Sequence, residues 1–156
     1  MKPLIALLAL FCAAAFAGDL PMPAITPGAV NPAVTQANIG RTICVPGYTK
    51  TVRPPAAYTN KLKRQQLRSG TYASTLDAAA WEEDHLVPLT VGGHPRSIKN
   101  LWPQHRSMPN GAADKDRLEV LANKLVCSGK VPLADMQSEI AADWVAALRK
   151  YGKTKR

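Results

Sequence analysis

In the stretch EEDHLVPLTVGG, Glu82 to Gly93, a carboxylate and an imidazole are neighbours at Asp84 and His85, and an amide, Asn100, follows beyond two glycines. A neutral imidazole, with an ordinary pKa of about 6.5, takes a proton from water at physiological pH. A carboxylate holds a hard divalent cation such as Mg²⁺, which keeps several of its waters and needs few protein ligands. Together these groups suit hydrolysis of a phosphodiester, which requires an activated water, neutralised charge on the phosphoryl oxygens and help for the leaving oxygen. By period, though, the segment is a short strand ending in a turn, and strand neighbours point to opposite faces. If Asp84 and His85 serve one site, a bulge or bend is expected to re-aim one of them, with Pro88 limiting regular pairing just beyond. Glu83 is expected on the face opposite Asp84, in solvent or in a salt bridge.

The elements around this pair read as strand, glycine-containing loop, strand, helix. Upstream, residues 18–40 (rich in Pro, Ala and Thr) have no helical or strand period and are expected to form a flexible or extended lead-in. Arg41 to Pro55 reads as short extended pieces broken at Pro46-Gly47. AAYTNKLKRQQLRSG reads as a helix with Tyr58, Leu62 and Gln65 on one face and Gly70 as its stop. Lys61, Lys63, Arg64 and Arg68 fall on its other face, which is either solvated or tracks phosphates. Downstream, Leu118, Leu121, Ala122 and Leu125 recur at helical spacing before Gly129. Asp114 and Asp116 suit that helix's positive end. Met136, Ile140, Trp144, Val145 and Leu148 mark a last helix stopping at Gly152, followed by a basic tail at 153–156.

The chain's beginning bears on its compartment. One Lys, an apolar run from Leu4 to Ala17 and small residues at Ala15 and Ala17 form a signal-peptide pattern over residues 1–17. The run is shorter than the roughly 20 residues of a membrane span, so export followed by cleavage is expected, the alternative being an uncleaved anchor. Cleavage removes Lys2 and takes the formal charge from +9 to +8. Such a balance favours a polyanionic partner, nucleic acid or an anionic surface. Of the three cysteines, Cys44 and Cys127 remain. In an oxidising compartment they are expected to pair, the alternative being two separate buried thiols.

The motif Asp84-His85, Pro88, Gly92-Gly93 and Asn100-Leu101, followed by a Lys on the next helix, resembles the HNH endonuclease family, the ββα-metal nucleases. The wider frame, ICVPGYTKTVRPP and YTNKLK before it and NLWPQ, KDRLE, LVCSG and IAADW behind it, looks like exported bacterial members with HNH-like domains. The resemblance implies a small α+β fold over residues 41–152: a two-stranded hairpin crossed by a helix, with flanking helices. It implies His85 as general base, Asp84 as metal ligand, and Asn100 as the group that holds the hairpin's backbone and aims the imidazole. In such folds a His or Asn near the helix start completes the metal site. Here Ala112 stands three residues before Lys115, which leaves Asn110 as the nearest candidate and His105 and Asp114 as alternatives. Asn110 could equally cap the helix.

Arg96, Lys99 and Lys115 flank this proposed site and are either phosphate contacts or ordinary surface charge. His94 reads as a loop residue, and Trp102 and Pro103 as packing. The cofactor implied is a divalent ion, Mg²⁺ first, with Mn²⁺ or Zn²⁺ as alternatives; the two distant cysteines lack structural-zinc spacing. The partner implied is DNA ahead of RNA, cut with little sequence preference because no separate reading module is present. The rival readings are a polyanion-binding module without catalysis and a nuclease acting mainly on RNA.

Overall fold

The computed structural model describes residues 20–72 and 77–153. Residues 1–17, expected to be a signal peptide, and the last three residues of the basic tail lie outside them. The fold is α+β: a two-stranded antiparallel hairpin with a helix following it and further helices packed around. In chain order the regular elements are α1 (Tyr48–Val52), α2 (Ala56–Arg68), β1 (Trp81–His85), β2 (Leu101–His105), α3 (Ala112–Cys127) and α4 (Leu133–Gly152), with single 3-10 turns between some of them. Among the described residues no helix is long and apolar enough to cross a membrane.

The hairpin pairs residue for residue, Trp81 with His105 through His85 with Leu101. No residue is left over, so the bulge expected at Asp84-His85 is not there. The long β1–β2 connection folds inward instead of outward. Leu86, Val87, Leu89 and Val91 are buried, and Val87 and Val91 join Leu118, Ala122, Met136, Ile140 and Trp144 in one core. Apolar side chains at these positions drive that inward course, because exposing them would forfeit roughly 1.5–3 kcal/mol apiece.

Three sequence expectations change. The extended pieces expected over Arg41 to Pro55 are turns leading into the short α1. Their β-branched residues favour strand, but a strand needs a partner, and the only sheet among the described residues is β1–β2. The lead-in, expected to be flexible or extended, is docked and passes through turns into a 3-10 helix at Gln36–Arg41: Gly28 N–H donates to Lys99 O, Asn31 N–H to Gly92 O, and the buried Thr26 hydroxyl lies 2.7 Å from the Tyr72 hydroxyl. On α2 the inward residues are Lys63 and Leu67 rather than Tyr58, Leu62 and Gln65. Lys63 sits inside because its ammonium donates to Ala78 O and Trp81 O, both at 2.8 Å.

α3 buries Ala112, Lys115, Leu118, Ala122 and Val126, a stripe that includes a lysine. α4 is two arms folded at Asp143, whose φ of −162° and ψ of 93° leave the helical region. The Asp143 carboxylate accepts Ala146 N–H at 2.9 Å and so caps the second arm. Glu139 meets Lys150 at 2.7 Å across this bend. In a straight helix residues so spaced would stand about 16 Å apart.

Cys44 and Cys127 form the expected disulfide, joining the N-terminal turns to the end of α3. Replacing both by Ser opens a loop of 84 residues (127 − 44 + 1). This is expected to cost on the order of 4 kcal/mol in chemical denaturation, and dithiothreitol should shift the parent protein by a similar amount while leaving the double variant unmoved.

Candidate functional site

A polar cleft of about 350 Å³ opens between β1 on one side, α1–α2 on the other and α3 at its end. Glu82, Glu83 and Asp84 line it from β1, and Asp116 and Glu119 from α3. These are five of the eleven carboxylates in a chain of net charge +9. Arg53, Lys63 and Arg106 form the basic side. Glu82, Glu83 and Asp84 alternate in direction along a regular strand, so a cleft that all three reach must wrap the edge of β1 that β2 leaves free.

Lys115 organises the acidic side. Its ammonium is fully buried, donates to His85 O at 2.8 Å and to Glu119 Oε1 at 3.2 Å, and lies 3.5 Å from Asp84 Oδ2. It also stands over the Trp102 ring at 5.8 Å from the centroid. The expectation that Lys115 contacts phosphate is therefore corrected: its three donors are turned inward, toward a carbonyl and two carboxylates. Burial pushes the Glu119 carboxyl up to about 7, opposed by Lys115 and reinforced by Asp84. Burial, then Asp84, pushes Glu83 up to about 9. Among the described residues neither Glu83 oxygen has a hydrogen-bond partner, so Glu83 is neither solvent-facing nor salt-bridged as expected. Glu82 pairs with Arg106.

His85 diverges from Asp84, as strand alternation requires. Its ring is buried and its Nε2 lies 3.0 Å from Pro95 O, and it does not line the cleft. A carbonyl only accepts, so Nε2 carries the hydrogen and Nδ1 is the acceptor of the neutral ring. Burial holds the imidazole below its ordinary pKa, against smaller upward pulls from Pro95 O and Asp84.

Asn100 clamps the β1–β2 connection. It is fully buried, its Oδ1 accepts Val87 N–H at 2.9 Å, and its Nδ2 donates to Val87 O at 3.0 Å and His94 O at 3.1 Å. Gly93 passes so close that a Cβ there would sit 1.7 Å from Val87 O. His94 Nδ1 accepts Arg96 N–H and Ser97 N–H, shaping the turn that presents Pro95 O. Arg96 is exposed, its guanidinium 5.2 Å from the Tyr58 ring centroid, and Lys99 is exposed beside it.

None of Asn110, His105 and Asp114 lines the cleft with Asp84. Asn110 takes a left-handed φ of 60°, a conformation asparagine tolerates, and turns the chain into Gly111, the residue that precedes α3. Its N–H is accepted by Asp114 Oδ2, and its carbonyl accepts Gln104 Nε2. His105 packs edge-on against Trp81 and accepts two backbone N–H groups at Nδ1. The carboxylate that does join Asp84 is Glu119. Its position one helical turn after Lys115 in KDRLE was the available signal. A scan against protein-family models and searches of curated proteins and of solved structures return no match to this chain.

Asn100→Asp removes two donors to buried carbonyls, and Gly93→Ala forces the loop off its clamp. Each is expected to lower unfolding free energy by about 3 kcal/mol, read by urea denaturation. Lys115→Met leaves two carboxylates and a carbonyl without their cation and is expected to cost about 3 kcal/mol in the same measurement.

Proposed function

We propose that this chain is an exported, divalent-cation-dependent nuclease of the HNH kind that hydrolyses phosphodiester bonds in DNA with little sequence preference. The observation that carries the reading is the junction of β1 with its loop: a neutral imidazole with a fixed tautomer, a buried amide clamp behind it, and a carboxylate-rich cleft beside it.

Asp84 and Glu119 are the residues that would hold a hard cation, since Mg²⁺ or Mn²⁺ binds through one or two carboxylates while retaining waters. Their oxygens converge on the Lys115 ammonium, so the ion would bind on their cleft side or displace it. Among the described residues no group of three or more His, Cys, Asp or Glu side chains is placed to hold a metal ion, so protein ligands beyond Asp84 and Glu119 are not supplied. When bound, the ion supplies charge neutralisation at the phosphoryl oxygens. The proton of the attacking water goes to His85 Nδ1, the open acceptor of the ring; because the ring is buried and outside the cleft lining, the step requires the wall between it and the cleft to open. The water oxygen bonds to phosphorus as the P–O ester bond breaks, and the leaving oxygen takes a proton from solvent. Asn100 and Pro95 O hold the ring's tautomer and direction. Arg53 and Arg106 draw the phosphodiester into a cleft that its carboxylates would otherwise repel.

A second reading, polyanion binding without cleavage, draws support from the Lys115 ammonium already lying between the two carboxylates and from the burial of His85. Incubating residues 18–156 with plasmid and with RNA, in Mg²⁺ and in chelator, separates the readings. Nicking of plasmid in Mg²⁺ alone is expected, with His85→Ala slower by about 10²–10⁴-fold. Binding without cleavage under every metal tried would favour the second reading, and an undiminished His85→Ala would rule out the mechanism.

A further inference from the structure

α2 has no carboxylate in its 13 residues. Lys61, Arg64 and Arg68 recur at i, i+3 and i+7, and all three are exposed. Among the described residues none of their side chains makes a hydrogen bond, an ion pair or a ring contact. The flank of the same helix that carries Thr59, Asn60 and Lys63 is a wall of the carboxylate cleft. With 3.6 residues per turn, Arg64 lies only about 40° around the helix from Asn60, so the basic ridge begins at the cleft's rim. From Lys61 to Arg68 it rises about 10 Å, and duplex DNA carries a charge about every 1.7 Å of its axis. The ridge therefore spans several phosphates.

We infer that the Lys61–Arg64–Arg68 ridge is the docking surface for the phosphodiester backbone of a polynucleotide as it leaves the cleft. The inference rests on the cleft being a phosphodiester site, and it deepens that reading: the substrate is a long chain held outside the reacting bond. The cleft is lined by five acidic side chains, so a polyanion's approach is favoured by positive charge placed beside them and unpaired. An anionic membrane is the weaker partner, because a helix lying on lipid buries an apolar face. Here the outward positions beside the ridge are Ala57 and Gln65, and Leu67 faces the protein.

The test is the triple variant Lys61→Gln, Arg64→Gln, Arg68→Gln, with Arg64→Gln alone as a milder companion. Binding of a short DNA duplex is titrated against salt with chelator present, and hydrolysis of bis(p-nitrophenyl) phosphate is measured in Mg²⁺. The log–log salt slope is expected to flatten by about 2–3 for the triple variant and about 1 for the single one, with the small diester cut at the parent rate. An unchanged slope would overturn the inference. So would an equal loss on the small diester, or lost binding to phosphatidylserine vesicles with DNA binding intact. Failure of the parent to cut either substrate would count against the nuclease reading, while the slope would still decide the ridge.

Discussion

The buried ammonium of Lys115 ties the hairpin to the helix that follows it. It reaches from α3 to the last carbonyl of β1 and gathers the Asp84 and Glu119 carboxylates around itself. A charge this deep is tolerable only because every donor has a carbonyl or carboxylate to meet. The same contacts fix where α3 crosses the strand, and hence where Asp116 and Glu119 enter the cleft. The acidic side of the cleft and the packing of α3 are thus one arrangement: moving the lysine would displace both.

A second constraint acts on the loop. Between β1 and β2 the chain turns inward, which buries backbone groups that a surface loop would leave to water. Asn100 supplies what water would have supplied, one acceptor and two donors, and Gly93 leaves room for the contact. The loop's apolar residues can then join the core shared by α3 and α4. Rigidity at this loop reaches His85 through Pro95 O, so the contact that sets the imidazole's tautomer is itself held by Asn100 and His94.

Much of this was legible in the sequence for definite reasons. Strand–loop–strand–helix followed from period and glycines, the disulfide from two remaining cysteines, and the Asn100 clamp from the family resemblance. What escaped was burial of charge. Lys63 and Lys115 read as surface residues because propensity and charge count cannot see a carbonyl arriving from another element. Glu119 was overlooked for the same reason, although it shares a helix face with Lys115. The alternation of Asp84 and His85 posed the right question, but the bulge was the wrong resolution. The strand is regular, the cleft wraps its edge, and the two side chains part. The bend in α4 escaped because Asp143 carries no Pro or Gly beside it.

The docked segment before α1 ties together parts of the chain 97 residues apart. Gln36 accepts Leu133 N–H at 2.7 Å, and any side chain on Gly28 would collide with Ala141. Contacts of such sequence separation form late, because loop closure is unfavourable until distant partners are in place. Residues 28–36 thus find their seats only when α4 exists. A chain emerging from the ribosome or threading a pore would remain open along this seam until α4 had been delivered.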